Sequence, residues 1–183
     1  MFQKIKNKKL KLNQIQEAFS LVEIIIVLFI ISLGLVGILS LIVQNVQSQN
    51  YNKNNLIGYQ LSQEGIELIR RERDSNWLAT PYNGFAYNIV PESNVVYSYC
   101  LDFTNTTPNN YETSDVACPL NFNSIEGLYV HDNSWPASGF SRLIKVEMIE
   151  NGSALRVISE VYWQNPNGAG SYITEALLYD WYF

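Results

Sequence analysis

The sequence has few of the residues on which catalytic and metal sites usually depend. It contains one histidine, His131, among 183 residues, and two cysteines. A single histidine does not complete the ligand set of a typical zinc site. Neither a glycine-rich phosphate loop nor a G-x-S-x-G motif occurs. We therefore predict no catalytic residue, no cofactor and no metal site, and expect that the protein is not an enzyme.

Two weaker possibilities involve polar residues of predicted loops. His131 stands next to Asp132, and a lone histidine in such a loop is usually a solvated side chain. Calcium could in principle bind four acidic residues, although their spacing matches no EF-hand pattern. These residues are Asp102, Glu112, Asp115 and Asp132.

Positive charge is scarce outside the first eighteen residues. The formal net charge of the chain is −5. The first eighteen residues hold five lysines and one glutamate, so the remainder carries −9. Such an acidic exterior argues against nonspecific binding of nucleic acid through a broad basic surface. No nucleic-acid partner is therefore predicted.

Charge is missing altogether from one long segment. The residues Ile24–Val43 contain no charged side chain, and Glu23 is the one charge in the apolar run Phe19–Val43. Length and composition predict a transmembrane helix over residues 19–43. A carboxylate costs about 2.5–3.5 kcal/mol at the centre of such a helix and less near its end, so Glu23 indicates a partner or a function.

Residues 1–18 precede this helix as a short basic segment. Its lysines predict that this end stays in the cytoplasm and that the rest of the chain lies outside. A secretory signal peptide has an apolar core of about 7–15 residues and then a small-residue cleavage site. Here the core is longer and is followed by Gln44–Asn50, QNVQSQN. Cleavage is therefore expected before the apolar run, and residues 1–18 are predicted to be a leader peptide.

The residues at this junction resemble a known processing signal. The stretch from Ala18 to Glu23, AFSLVE, is similar to the class III signal of type IV prepilins and type II secretion pseudopilins. The resemblance implies that prepilin peptidase cuts between Ala18 and Phe19 and then N-methylates Phe19. It also implies that Glu23 contacts the Phe19 amine of a neighbouring subunit in a filament. Ala18 stands where the family usually has glycine.

Further stretches narrow this resemblance. Leu61–Glu67, Arg70–Asp74 and Phe140–Val146 are similar to minor pilins known as type IV pilus modification proteins. They imply a structural subunit whose partners are prepilin peptidase, other pilins, and an assembly platform driven by a cytoplasmic ATPase. The implied location is the inner membrane, in a single pass with an extracytoplasmic head, and then the pilus. A type II secretion or competence pseudopilin is an alternative, as is a membrane-anchored extracytoplasmic binding or enzymatic domain.

The sequence pattern predicts a pilin-like α+β fold, in which a long N-terminal helix packs on an antiparallel sheet. Residues 44–74 are expected to form an amphipathic stem helix, and residues 75–183 a β-rich head. The charged residues Arg70–Asp74 are expected to end the helix, where cations complement its dipole. Helical spacing predicts the face of the stem that meets the sheet: Ile57, Leu61, Gly65, Leu68 and Ile69.

Alternating apolar residues predict strands in the second half of the chain. Asn151-Gly152 is expected to form one hairpin turn, and Asn165–Gly170 a longer one. Residues 75–139 are expected to be an irregular connector, with Val95–Phe103 as a strand candidate. The three hairpin-linked strands are predicted over Phe140–Ile149, Ala154–Trp163 and Tyr172–Trp181.

Two cysteines, Cys100 and Cys118, lie in this connector. Both follow the predicted membrane helix and therefore lie outside the cytoplasm, where a disulfide persists. Closing a loop of this size stabilises a fold by roughly 3 kcal/mol in the chain-entropy model. Two buried free thiols are the alternative, and we predict the disulfide.

Overall fold

One long helix precedes six strands in the computed structural model, which describes residues 20–79, 81–82, 84–93, 95–104, 116–165 and 168–181. The chain forms two compact units, Met1–Val46 and Gln47–Phe183. The elements are α1 (Leu21–Leu78), β1 (Val96–Tyr99), β2 (Cys118–Asn123), β3 (Leu128–Val130), β4 (Ala137–Ile149), a 3-10 turn (Glu150–Gly152), β5 (Ala154–Asn165) and β6 (Gly168–Tyr179).

The first part of α1 is an exposed apolar helix. Its most apolar 18-residue window has a mean hydropathy of 3.0, and none of that window is buried. Within the described residues, this is the one helix long and apolar enough to cross a membrane. An uncovered apolar surface of this length is stable in a hydrocarbon layer rather than in water.

The six strands form one antiparallel sheet in the order β3-β2-β4-β5-β6. β1 pairs with the second half of β4, on the same edge of β4 that β2 occupies earlier along the strand. The long strands β4, β5 and β6 pair without a register shift. The predicted α+β fold, with a long helix packed on an antiparallel sheet, is confirmed.

The predicted inner face of the stem is also confirmed. Leu61, Gly65, Leu68 and Ile69 are buried, and Ile57 is partly buried against the sheet. The sheet meets them with its own alternating apolar residues, because successive side chains of a strand point to opposite faces. The residues of β4 and β5 in this core are Phe140, Ile144, Val146, Leu155, Val157, Val161 and Trp163.

The helix continues to Leu78, four residues beyond the predicted end at Asp74. Tertiary contacts hold this last turn: the Asn76 side chain donates to the carbonyl oxygens of Phe85 (3.1 Å) and Tyr87 (2.7 Å). The expectation that cations cap the helix is therefore wrong, since the last turn contains no basic residue. Arg73 is instead buried, with its guanidinium 4.3 Å from the centre of the Trp77 ring.

The hairpin predictions were partly correct. The Asn-Gly turn between β4 and β5 is confirmed, with positive φ at Asn151 (54°) and Gly152 (91°), the conformation that favours this pair. The prediction of a longer turn over Asn165–Gly170 is wrong, because β5 and β6 remain paired as far as Asn165, which lies opposite Gly168. β6 therefore begins at Gly168 rather than Tyr172.

The predicted irregular connector contains more strand than expected. The strand predicted over Val95–Phe103 is observed only as β1, Val96–Tyr99. The connector also contains β2, β3 and the start of β4. β1, β2 and β3 have only three to six residues each, too few to show the sustained alternation that identifies β4 and β5. Pairing with the long strand β4 stabilises β1 and β2 in place.

One aromatic side chain fixes how closely the stem approaches the sheet. The Trp163 ring lies between Gly58 of α1 and Gly170 of β6, and only 3% of Trp163 is exposed. A Cβ added at Gly58 would lie 2.5 Å from the ring, and one added at Gly170 would lie 2.4 Å from it. The ring cannot move away from one glycine without meeting the other.

We expect Gly170→Ala to destabilise the head by about 1–3 kcal/mol, the usual cost of overpacking a filled core. The measurement is thermal unfolding of the full chain in detergent, followed by near-ultraviolet circular dichroism. Ser171→Ala, at the exposed neighbouring position, is the control and should change little. An unchanged melting temperature for Gly170→Ala would show that the ring has room to shift.

Candidate functional site

Glu23 lies in the first turn of α1. The helix begins at Leu21, and its first backbone hydrogen bond runs from Ile24 N–H to the carbonyl oxygen of Ser20 (3.2 Å). Like the rest of the apolar helix, Glu23 is exposed in the single chain. The structure therefore places one carboxylate, with no protein cover, at the N-terminal end of the apolar surface.

The predicted cleavage site, Ala18 and Phe19, lies outside the described residues, and so does the predicted N-methylation at Phe19. The described chain starts one residue later, at Ser20. Glu23 is four residues from Phe19 in sequence, which is about one turn if the helical spacing extends that far.

One polar side chain inside the apolar helix is satisfied locally. The Ser32 hydroxyl donates to the carbonyl oxygen of Leu28, one turn earlier, at 2.7 Å. A hydroxyl bonded in this way exposes no free donor to lipid. Glu23 differs from Ser32 because a carboxylate has no donor of its own with which to bond the backbone.

A second cluster of polar groups surrounds the cysteines in the head. The predicted disulfide between Cys100 and Cys118 is confirmed, with the two Cα atoms 5.8 Å apart. Cys118 opens β2, and Cys100 directly follows β1, so the bond joins two strands that occupy the same edge of β4.

We expect that alkylation without reductant labels neither cysteine in the folded protein, and that the Cys100→Ser/Cys118→Ser double variant loses roughly 3 kcal/mol of stability. Mass spectrometry of the alkylated full chain is the measurement. Reduction before alkylation provides the control, and should add two labels. Labelling of both thiols without reductant would contradict the disulfide.

Arg142 is a deeply buried charged residue of this cluster, with 1% of its surface exposed. Its guanidinium donates to the Leu61 carbonyl oxygen (3.0 Å), to the Glu64 carboxylate (3.1 Å) and to the Leu101 carbonyl oxygen (2.5 Å). Burial lowers the pKa of Arg142, and the Glu64 carboxylate opposes that shift. One side chain of β4 thus joins the stem helix to the segment next to the disulfide.

Asp102 and His131 complete the cluster. The Asp102 carboxylate accepts hydrogen bonds from the Thr104 N–H (2.7 Å) and from the His131 N–H (2.6 Å). The His131 ring nitrogens lie 2.9 Å from the Pro119 carbonyl oxygen and 3.3 Å from that of Leu101. His131 is thus partly exposed, and its ring also contacts both segments that the disulfide joins.

The hydrogen bonds of this cluster have a structural role, because they link separate segments of the head. Asp102 accepts hydrogen bonds from the Thr104 N–H and hydroxyl and from the His131 N–H. Asp132 accepts from the Ser134 N–H (2.9 Å) and hydroxyl (2.7 Å), which lower the pKa of Asp132. Glu112 and Asp115 lie outside the described residues. Among the residues that are described, no group of three or more His, Cys, Asp or Glu is placed to hold a metal ion.

Sequence reasoning missed the burial of Arg142. The sequence does contain a signal for this burial. Arg142 alternates in β4 with Phe140, Ile144 and Val146, so its side chain lies on the same, inward face of the strand. Positive charge at an inward position predicts a buried ion pair or carbonyl contacts. The partners of Arg142 could not be read from the sequence, since Leu101 and Glu64 are brought to it only by the tertiary fold.

Comparison of the chain with protein-family models, with curated proteins and with solved structures found no match.

Proposed function

We propose that the chain is the precursor of a minor type IV pilin, a structural subunit that is held in the inner membrane and then incorporated into a filament. The observation that carries this proposal is Glu23, the single charge of the apolar run, which follows the basic residues 1–18 and the Ala18-Phe19 pair. The fold supports it, because one continuous helix, α1, provides both the apolar run and the stem face that packs on the sheet.

In this proposal, processing creates the partner of Glu23. Prepilin peptidase removes residues 1–18 and leaves a free, N-methylated amine on Phe19. Two opposite charges about 4 Å apart attract by about 4 kcal/mol at an effective dielectric constant near 20. The Glu23 carboxylate of an incoming subunit therefore gains a partner when it meets the Phe19 amine of a neighbour, and loses it in any other register.

The partners follow from this sequence of events. Prepilin peptidase acts first, other pilins contact the mature helix, and an assembly platform with its cytoplasmic ATPase extracts the subunit from the membrane. The same residues fit a pseudopilin of a type II secretion or competence system, which uses the same processing and the same helix contact. A membrane-anchored binding or enzymatic domain is the alternative without processing.

Processing distinguishes these classes. We expect coexpression with an active prepilin peptidase to remove residues 1–18 and to leave N-methyl-phenylalanine at the new terminus, as read by mass spectrometry of the intact chain and its N-terminal peptide. Coexpression with an inactive peptidase is the control. Ala18→Leu should block the cut, because a protease pocket for a small side chain does not accept a bulky one.

A chain that keeps Met1 beside an active peptidase would contradict the assignment. That result would favour a permanent membrane anchor. Cleavage without entry into any filament would instead support the processing step and contradict the proposed role as a pilus subunit.

A further inference from the structure

The outer edge of β6 is open. β5 pairs with one side of its twelve residues, and no strand of the described chain pairs with the other side. An edge strand presents a row of backbone N–H and C=O groups that fit another extended chain. The length of β6 distinguishes it from β1 and β3 on the opposite edge, which have four and three residues.

The register shows which backbone groups face outward. Asp180 N–H donates to the Ser153 carbonyl oxygen (2.9 Å), which continues the uninterrupted β5–β6 ladder by one pair. Antiparallel pairs alternate between hydrogen-bonded and non-hydrogen-bonded, so every second residue of β6 bonds to β5. The residues between them direct their backbone groups away from the sheet: Ser171, Ile173, Glu175 and Leu177.

This edge lacks the usual protection against a pairing strand. Natural edge strands carry lysine, proline or a bulge, and β6 (GAGSYITEALLY) has no lysine, no proline and no register shift against β5. Its one charge, Glu175, is paired with Arg156 at 2.8 Å, which lowers the pKa of Glu175. Ile173 and Leu177, on either side of it, are 56% and 45% exposed.

We propose that the open edge of β6 binds an extended strand of a different protein, with apolar side chains at alternate positions opposite Ile173 and Leu177. Main-chain hydrogen bonds to the outward groups supply the affinity, and the two apolar side chains supply the register. The partner's chemistry is that of a polypeptide strand, because only another backbone matches alternating donors and acceptors at this spacing.

A second copy of this chain fits the edge less well, since a parallel β6–β6 pair, which keeps both stems in one orientation, is slightly less stable per residue than an antiparallel one. Its β1 and β3 edges are too short to cover β6. Pairing of β6 with β6 in antiparallel fashion would reverse one stem, because β6 runs in the same direction as α1: Tyr59 contacts Tyr172, and Trp77 bonds to Asp180. This step rests on the proposed function, in which all stems insert into one membrane in the same orientation.

The test compares Ile173→Lys with Ile158→Lys in the full chain. Both substitutions replace isoleucine on the outer face, but β5 is paired on both sides, so only Ile173→Lys places a charge at the open edge. Ile173→Lys is expected to lower the amount of the chain in sheared filaments at least tenfold relative to its membrane pool, while Ile158→Lys stays near the parent. Equal incorporation of both variants would overturn the proposal and leave the proposed function untouched.

Amide hydrogen exchange gives an independent readout. In the parent chain purified in detergent, the outward amides of Ile173 and Glu175 should exchange fast and that of Thr174 slowly. In filaments, or in native membranes if no filament forms, the two outward amides should slow at least tenfold. Unchanged exchange would contradict strand addition. Slowing that depends on the concentration of the purified chain alone would show that a second copy occupies the edge.

Discussion

Replacement of Glu23 by Val is expected to leave membrane insertion and cleavage intact while incorporation into filaments falls at least about tenfold. Insertion should be equal or slightly better, because a polar cost of the apolar helix disappears. Cleavage should survive, since the cut is expected four residues earlier. In the proposed function, incorporation falls because the Phe19 amine of the neighbour loses its charged partner, and a loss of only 1.4 kcal/mol already gives a factor of ten.

The Glu23→Gln variant is the matched control for shape. Glutamine keeps the size and hydrogen-bonding groups of glutamate without the charge, so an ionic contact predicts that it behaves like Glu23→Val. The measurement is the amount of the chain in sheared filaments, or in a crosslinked complex with the pilins of the proposed filament, divided by the amount in the membrane. Normal incorporation of Glu23→Val would mean that the acid has no assembly role.

Removal of Arg142 is expected to cause a large loss of stability in the head. Arg142→Met keeps most of the side-chain volume but leaves Glu64 and the Leu101 carbonyl oxygen without their donor. Glu64 is partly exposed and can be solvated, but a buried carbonyl oxygen left without a donor costs about 1–3 kcal/mol. That is a large part of the 5–15 kcal/mol that is typical of a folded domain. Thermal unfolding of the full chain in detergent measures the effect.

Two variants sharpen this prediction. Arg142→Lys keeps the charge, but one ammonium group cannot reach both the stem and Leu101 as the forked guanidinium does, so an intermediate loss is expected. Arg156→Met removes an exposed ion pair with Glu175 and should change the melting temperature little. Equal changes in melting temperature for Arg142→Met and Arg156→Met would contradict the proposal that Arg142 stabilises the contact between stem and sheet.

The fold was predictable where one physical pattern dominates. The apolar run has no charge to interrupt it, and the inner face of the stem follows helical spacing through Leu61, Gly65 and Leu68. β4 and β5 alternate over most of their length and are joined by an Asn-Gly pair, so their hairpin was predicted to within a few residues at each strand end. In each of these cases, the signal is local in sequence.

The remaining features depend on contacts between distant segments. The last turn of α1 is held by Asn76 and Trp77 through residues that follow later in the chain. β2 and β3 are short; β2 forms because β4 offers a partner, and β3 pairs in turn with β2. In the candidate site, Glu23 was identified by its isolation in the sequence, whereas the bonds that surround Arg142 could not be read from any local pattern.

The contacts between stem and sheet also constrain when the head can form. The Ser62 hydroxyl bonds to the Ser159 carbonyl oxygen and to Thr174, which follow it by 97 and 112 residues. The ribosome therefore releases the apolar face of α1 long before the strands that cover it exist. At about 5–20 residues per second, this interval lasts roughly 5–20 seconds. During that time the stem depends on a membrane surface or a chaperone to keep its apolar face out of water.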